Sequence, residues 1–296
     1  MSAMTYADNS PVWKNPSVNQ QNREARRADF FAFESVEKAK GEKSASDRYL
    51  SMEGMWKFNF VRNHQEAPKD FYTLKYDDSS WTDFPVPGLF ELNGYGDKTY
   101  VNAGYAWNTT FKNDPPYIGE TNNYTGSYRR VFDLPTGWKG QEVFFHVGSA
   151  TSNLMLWVNG KYVGYSEDSK VAAEFNITRY LKPGKNLIAM QVMRWCDGSY
   201  LEDQDFWRFT GIAREVYLYA TPKCHIKDIT VGQDYLDGKG LLDVNVEIVN
   251  GKGATVEAQL FDADGKIVAE GLKTTVENVK PWTAETPHLY TLSILL

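Results

Sequence analysis

From Tyr49 onward one pattern recurs and decides what this chain can fold into: short runs of alternating apolar and polar residues, each ended by turn residues. Met55-Trp56-Lys57-Phe58-Asn59-Phe60 is the clearest case, and residues 127–134, 142–147, 154–158, 186–193 and 215–219 repeat it. A period of two puts every second side chain on one face, so each run reads as a half-buried strand. Asn159-Gly160 follows Trp157-Val158 and precedes Lys161-Tyr162. That pair suits a type I′ hairpin turn, because both central residues need positive φ. Lys182-Pro183-Gly184-Lys185 is a second turn, with Pro at i+1 and Gly at i+2. No amphipathic helix of ordinary length breaks the series. Many short antiparallel strands joined by turns and a few long loops make a sandwich or jelly roll.

A boundary falls near Thr221-Pro222. Beyond it residues 226–233, 241–249, 255–261 and 266–269 alternate again, and Asp262-Ala263-Asp264-Gly265 makes a tight turn. This reads as a smaller immunoglobulin-like sandwich. The final apolar run, Leu289 to Leu296, looks like a strand cut short. Before Tyr49 the chain is polar and charged, with Phe30, Phe31, Phe33 and Val36 in no helical spacing. The expected layout is an extended arm over residues 1–48, lying on the next domain, with one short helix near residues 36–40. A jelly roll over residues 49–221 and an incomplete immunoglobulin-like sandwich over residues 222–296 follow.

Aromatic residues make up 15% of the chain, with nine Trp, 18 Tyr and 16 Phe, enough for a large core and against wholesale disorder. A net charge of −6 argues against a nucleic-acid partner, which would need a basic face. Cys196 and Cys224 cannot build a disulfide framework or a four-ligand zinc site. His64, His146, His225 and His288 show no HxH or HExxH spacing. No apolar run approaches the ~20 residues of a membrane helix, and no charged and apolar leader opens the chain. The compartment stays open between cytoplasm and periplasm.

The densest polar segment runs from Arg194 to Gly211. Asp197, Glu202, Asp203 and Asp205 are interleaved there with Trp195, Tyr200, Phe206 and Trp207. Carboxylates beside indole rings suit a sugar, whose C–H face stacks on the rings while its hydroxyls donate to the acids. Hard oxygen ligands equally suit Na⁺, Ca²⁺ or Mg²⁺. A solvated loop with ordinary core aromatics has the same composition. A second aromatic and amide cluster, Tyr100 to Asn108, lies in a stretch from 85 to 124 with little strand periodicity, read as an ordered, functional or structural loop. Nothing marks a pair of carboxylates flanking a glycosidic bond, and there is no GxSxG elbow, P-loop or dinucleotide fingerprint. The residues alone describe a carbohydrate-recognising β module attached to something missing.

Several strings match a family. Asn15-Pro-Ser-Val-Asn-Gln-Gln-Asn-Arg23, Leu50-Ser-Met-Glu-Gly-Met-Trp56 and Asn159-Gly-Lys-Tyr-Val-Gly-Tyr165 are three of them. Asp197-Gly-Ser-Tyr-Leu-Glu-Asp-Gln-Asp-Phe-Trp207 is the most specific, and Pro281-Trp-Thr-Ala-Glu-Thr-Pro-His-Leu-Tyr290 carries the match onward. The chain resembles the N-terminal part of glycoside hydrolase family 2 β-galactosidases of the lacZ type. The resemblance implies a jelly-roll sugar-binding domain, an immunoglobulin-like sandwich, and a catalytic TIM barrel beyond Leu296 that holds both catalytic glutamates. No catalytic carboxylate is therefore expected here. It further implies that Asn102, of a Tyr-x-Asn motif, and Asp205 bind the galactosyl group, with Asp205 also a Na⁺ ligand. A second cation site, for Mg²⁺, would use Asn15, Glu167, Asp197 and the Val18 carbonyl. The sequence departs from the family pattern in places. Tyr105-Ala106 stands where an aromatic-Pro pair is usual, Leu89-Phe90 where Asn-Trp is usual, and Val12 near the place of an expected acid.

The expected function is thus the sugar-binding and scaffold portion of a retaining β-galactosidase that hydrolyses terminal β-D-galactosides. Na⁺ and Mg²⁺ are expected cofactors of the complete enzyme, and this stretch alone need bind neither. Expected partners are the β-galactoside, its own barrel and a second copy of itself, with no nucleic acid or membrane. Two alternatives remain: the same part of a family 2 β-glucuronidase or β-mannosidase, and a stand-alone carbohydrate-binding module.

Overall fold

The computed structural model describes residues 11–296, and among them every regular element is a strand or a short 3-10 helix. The chain forms two compact units. Described residues up to Glu24 join Tyr49–Ala220 in the first, and Ala25–Arg48 join Thr221–Leu296 in the second. The segment before Tyr49 is therefore shared between the units rather than being one arm over the first. Its helical turn spans Lys38–Lys40.

The first unit opens with β1 (Gln20–Gln21), β2 (Tyr49–Ser51), β3 (Gly54–Val61), β4 (Thr82–Val86) and β5 (Gly88–Leu89). It continues with β6 (Thr99–Tyr105), β7 (Thr125–Asp133), β8 (Glu142–Val147), β9 (Asn153–Val158) and β10 (Lys161–Glu167). The series ends with β11 (Ala173–Asn176), β12 (Lys185–Met193), β13 (Gln204–Arg208), β14 (Gly211–Ile212) and β15 (Val216–Thr221). A seven-stranded sheet, β1-β10-β9-β12-β7-β3-β4, accompanies a four-stranded one, β11-β8-β15-β2. Apart from the consecutive pairs β9-β10 and β3-β4, neighbouring strands are not consecutive in sequence, as the crossing connections of a jelly roll require.

Alternation explains the packing. On β9, Leu154, Leu156 and Val158 are buried in the core between the sheets, while Met155 and Trp157 of the other face are half-buried. Trp56 and Phe58 of β3 and Phe145 and Val147 of β8 enter the same core. Asn159 and Gly160 carry the positive φ values, 51° and 81°, that a type I′ turn needs. Gly164 is required for another reason: a Cβ there would lie 2.3 Å from the Gln21 carbonyl oxygen, so β1 could not close onto β10.

The stretch 85–124 is more regular than its sequence suggests. It contains β5, β6 and the 3-10 turns Phe90–Asn93 and Ala106–Thr109. Strand β6 pairs with β13 alone, as a ribbon outside both large sheets. No core covers either of its faces completely, so the usual apolar alternation has nothing to record.

The second unit holds β16 (His225–Leu236), β17 (Lys239–Val249), β18 (Glu257–Phe261), β19 (Ile267–Glu270), β20 (Lys273–Val276) and β21 (Thr291–Leu295). Two three-stranded sheets, β16-β17-β20 and β19-β18-β21, share a small core with Leu242, Val244, Ala258 and Val276 buried. The 25–48 segment is fastened to it: the Ala28 N–H donates to Asp228 Oδ1 at 2.9 Å.

Close packing around Gly126 yields a test. A Cβ there would lie 2.4 Å from Phe90 Cζ and 2.6 Å from Phe58 Cε2, both rings fully buried. Gly126→Ala should lower unfolding free energy by about 1–3 kcal/mol, read from urea denaturation followed by tryptophan fluorescence. A change within about 0.5 kcal/mol would show that the core yields at this point.

Candidate functional site

The ribbon brings the two expected sugar contacts together. Phe206 pairs with Val101 and Gln204 with Tyr105, so Asp205 alone faces the three residues 102–104. This bulge gives Asp205 a φ of 49°, a left-handed conformation that Asp tolerates better than most residues. The Tyr100 hydroxyl donates to Asp205 Oδ1 at 2.8 Å, and the carboxylate raises the Tyr100 pKa. Asn102, two residues on from Tyr100, is the first of the three residues that face Asp205. The Tyr100 and Trp207 rings meet at 5.3 Å, and Phe209 stacks on Trp207 at 5.4 Å. Tyr100 is 50% exposed and Trp207 47%, so the ribbon presents a carboxylate, an amide and an aromatic wall to solvent. Tyr100 and Trp207 were not singled out as site residues from sequence. The Tyr-x-Asn spacing carried the signal for the first.

The root of the ribbon is held by buried charge. Arg208, fully buried, donates from Nη1 to Asp203 Oδ2 at 2.6 Å and to Glu202 Oε2 at 3.4 Å. Its Nη2 donates to the Arg194 carbonyl and to Ser199 Oγ. Arg194 in turn donates to Glu91 Oε1 at 2.7 Å and to Thr99 Oγ1 at 2.8 Å, at the start of β6. Glu91 also accepts from the Thr210 backbone N–H at 2.7 Å, just past the end of β13. Burial raises the Glu91 pKa, and these donors oppose the shift. Strand β6 thus begins, and β13 ends, on one ionic lattice.

Of the residues expected at the second cation site, Glu167 and Asp197 converge. One carboxylate oxygen of each lies with Cys196 Sγ inside a 4.8 Å cluster, all three residues buried. Burial raises both carboxyl pKa values, and the Asp197 charge raises that of Glu167 further, so the pair shares a proton or needs a cation. Tyr165 donates to Glu167 Oε1 at 2.6 Å, while Asp197 Oδ1 is buried without a partner. An orphaned hard oxygen beside a second carboxylate fits Mg²⁺. The Cys196 thiol, its pKa driven up by burial, adds little as a ligand. Asn15 stands on a turn: its Oδ1 accepts from the Ser17 N–H and its carbonyl from the Val18 N–H. Four residues on, the Asn19 carbonyl accepts the Glu167 N–H at 3.0 Å.

A jelly roll followed by a second sandwich, with acids and rings displayed on an exposed ribbon, is the build of a carbohydrate-handling module. The chain belongs to glycosyl hydrolases family 2: its sugar binding domain matches residues 49–222, and a second family 2 domain matches residues 224–296. A beta-galactosidase of Priestia megaterium is 37% identical over 98% of this chain and 30% of its own length. One of Halalkalibacterium halodurans is 39% identical over 96% of this chain and 29% of its own length. The chain thus spans about 30% of these relatives. Among solved structures, a beta-glucuronidase of an uncultured Clostridium species aligns at a TM-score of 0.63 and 23% identity, over 83% of this chain and 42% of that one. Apo β-glucuronidase of Ruminococcus gnavus aligns at 0.61 and 20%, over 84% and 42%. This likeness shows the fold alone. Among the described residues, no helix is long and apolar enough to cross a membrane.

Removing the Arg208 guanidinium should expose how much depends on it. Arg208→Met leaves Asp203 and Glu202 without that partner in the interior, at a cost of about 3–5 kcal/mol, measured by urea unfolding. Arg208→Lys should recover only part of the loss, because one ammonium cannot reproduce the forked donors. Near-wild-type stability of Arg208→Met would mean that the acids are held by other groups.

Proposed function

We propose that this chain is the sugar-binding and scaffold portion of a retaining β-galactosidase, the whole protein hydrolysing terminal β-D-galactosides. The observation that carries the reading is the bulge that sets Asp205 beside Asn102 and a wall of exposed rings. An amide and a carboxylate fix the orientation of sugar hydroxyls, and rings cover the C–H face. The naming of both relatives above as beta-galactosidases supports the same choice. A β-glucuronidase is the weaker reading, since the Asp205 carboxylate would repel a uronate placed against it.

In this reading the chain binds and orients, and the two glutamates implied for a barrel carry the double displacement. Asp205 Oδ2 has no partner among the described residues and would hold Na⁺ together with a galactosyl hydroxyl. Glu167 and Asp197, with the Asn15 side chain and the Val18 carbonyl, would hold Mg²⁺. That ion would neutralise the paired acids and brace the segment before β1. Assembly partners would be the protein's own barrel and a second copy of the chain.

The purified chain should not turn over a chromogenic β-galactoside. Calorimetry should show galactose binding no tighter than the millimolar range, about −4 kcal/mol, because only part of a site is present. Asp205→Asn should weaken that binding about tenfold or more, the scale of a hydrogen bond to a charged group, and remove its response to Na⁺. Binding and Na⁺ response equal to wild type would make Asp205 an ordinary surface acid and defeat the assignment. Turnover by the chain, abolished by a substitution within it, would defeat the division of labour.

A further inference from the structure

A separate recess opens on the outer face of the seven-stranded sheet, with a volume of about 610 Å³, and it shares no lining residue with the ribbon. Its apolar lining comes from Trp13, Phe71, Tyr72, Met155 and Trp157, and its polar lining includes His64 and Gln191. The apolar part is ordered: Tyr72 stacks on Trp157 at 5.2 Å and 6°, and Phe71 meets Trp157 edge-on at 5.3 Å. The volume lies in the range of about 300–1,000 Å³ of small-molecule sites.

The polar atoms have a defined sense. Gln191, 7% exposed, donates from Nε2 to Ser127 Oγ at 3.1 Å, which leaves its Oε1 without a partner among the described residues. Thr125 Oγ1 donates to the Asn123 carbonyl, so it accepts from His64 Nδ1 at 3.3 Å. Nδ1 therefore carries the proton, and Nε2 is left as an acceptor without a partner among the described residues. Burial lowers the His64 pKa, which keeps the ring neutral at pH 7. The charged groups of the lining, Lys69 and Asp70, are both exposed and opposite in sign. Rings and two neutral acceptors without a net charge match a ligand with a C–H face and several hydroxyl donors.

We propose that this recess is a second carbohydrate site, which takes one neutral pyranose residue against Trp157 and Tyr72 with its hydroxyls donating to Gln191 Oε1 and His64 Nε2. It stands independently of the ribbon. A site here would hold a second sugar of the same chain of saccharide, or a second saccharide, without entering the ribbon's contacts.

The test uses the full chain, with methyl β-D-galactopyranoside and methyl β-D-glucopyranoside as probes and glycerol as a polyol without a pyranose ring. Calorimetry and tryptophan fluorescence report binding. The double variant N102A/D205N, which disables the ribbon, should keep one millimolar-range site that quenches fluorescence. Adding His64→Ala or Gln191→Leu should weaken that remaining site by about tenfold or more, the loss of one desolvated hydrogen bond. Tyr72→Ala, at the half-exposed rim, should do the same and serves if Gln191→Leu does not fold. The proposal is overturned if N102A/D205N abolishes all binding, if His64→Ala and Tyr72→Ala leave the remaining site unchanged, or if glycerol quenches as well as the pyranosides. A ribbon that fails its own Asp205 test, with the recess still binding, would separate the two readings.

Discussion

The displayed ribbon depends on one fully buried guanidinium. Arg208 sits at the C-terminal end of β13 and ties Asp203 and Glu202, from the turn before the strand, to the Arg194 carbonyl. Arg194 and Glu91 extend the lattice to Thr99 and Thr210, at the opposite strand's beginning and just after the bulged strand's end. A two-stranded ribbon is marginal by itself. Here its register is set from below, by charges whose desolvation is offset by charged hydrogen bonds, with Nε the one nitrogen of the Arg208 guanidinium that has no partner among the described residues. Trp195, whose ring lies 4.5 Å from the Arg208 guanidinium, covers the lattice from the side. Slippage by one residue would break several charged hydrogen bonds at once, so the bulge at Asp205 is fixed.

Environment divides acids that look equivalent in sequence. The Asp203 side chain is buried and paired, Glu202 accepts from Ser169 and Arg208, and Asp205 stands in solvent against a tyrosine hydroxyl. Asp197 meets Glu167 in the interior and keeps one oxygen unsatisfied. Four carboxylates within nine residues thus serve as a scaffold, a loop clamp, a surface acceptor and half of a proton- or cation-sharing pair. Local dielectric and neighbours set those roles, and residue type does not.

Strands that face a core were legible from alternation, and hairpin 157–165 from its Asn-Gly pair. The β6 ribbon was not, because Tyr100 to Tyr105 has no face that must be apolar. Asp205 and Asn102 were reachable through the resemblance, but their juxtaposition needed the bulge, which depends on how 102–104 oppose one residue. Cys196 joined the carboxylate cluster unannounced, since Glu167 ends β10 while Cys196 and Asp197 open a 3-10 turn past the end of β12, and only the fold brings the two places together. The arm failed as a single unit for a similar reason: its first half bonds to β10 through Gln20 and Gln21, and its second half to the other sandwich through Ala28.

That division has a topological result. Along the chain the fabric alternates between first unit, second, first and second, so each unit is sewn from two separate lengths of peptide. Residues 25–48 leave the ribosome before the whole of 49–220 exists, and must wait for strands made after residue 220 to find their place. The entropic cost of closing so long a loop grows only slowly with its length, so the arrangement costs time more than stability. A cut at Tyr49, the natural border of the sugar-binding domain, would remove a panel from the second sandwich, which begins its own strands far downstream. The two halves are laced together by connectivity, whatever the strength of any contact between them.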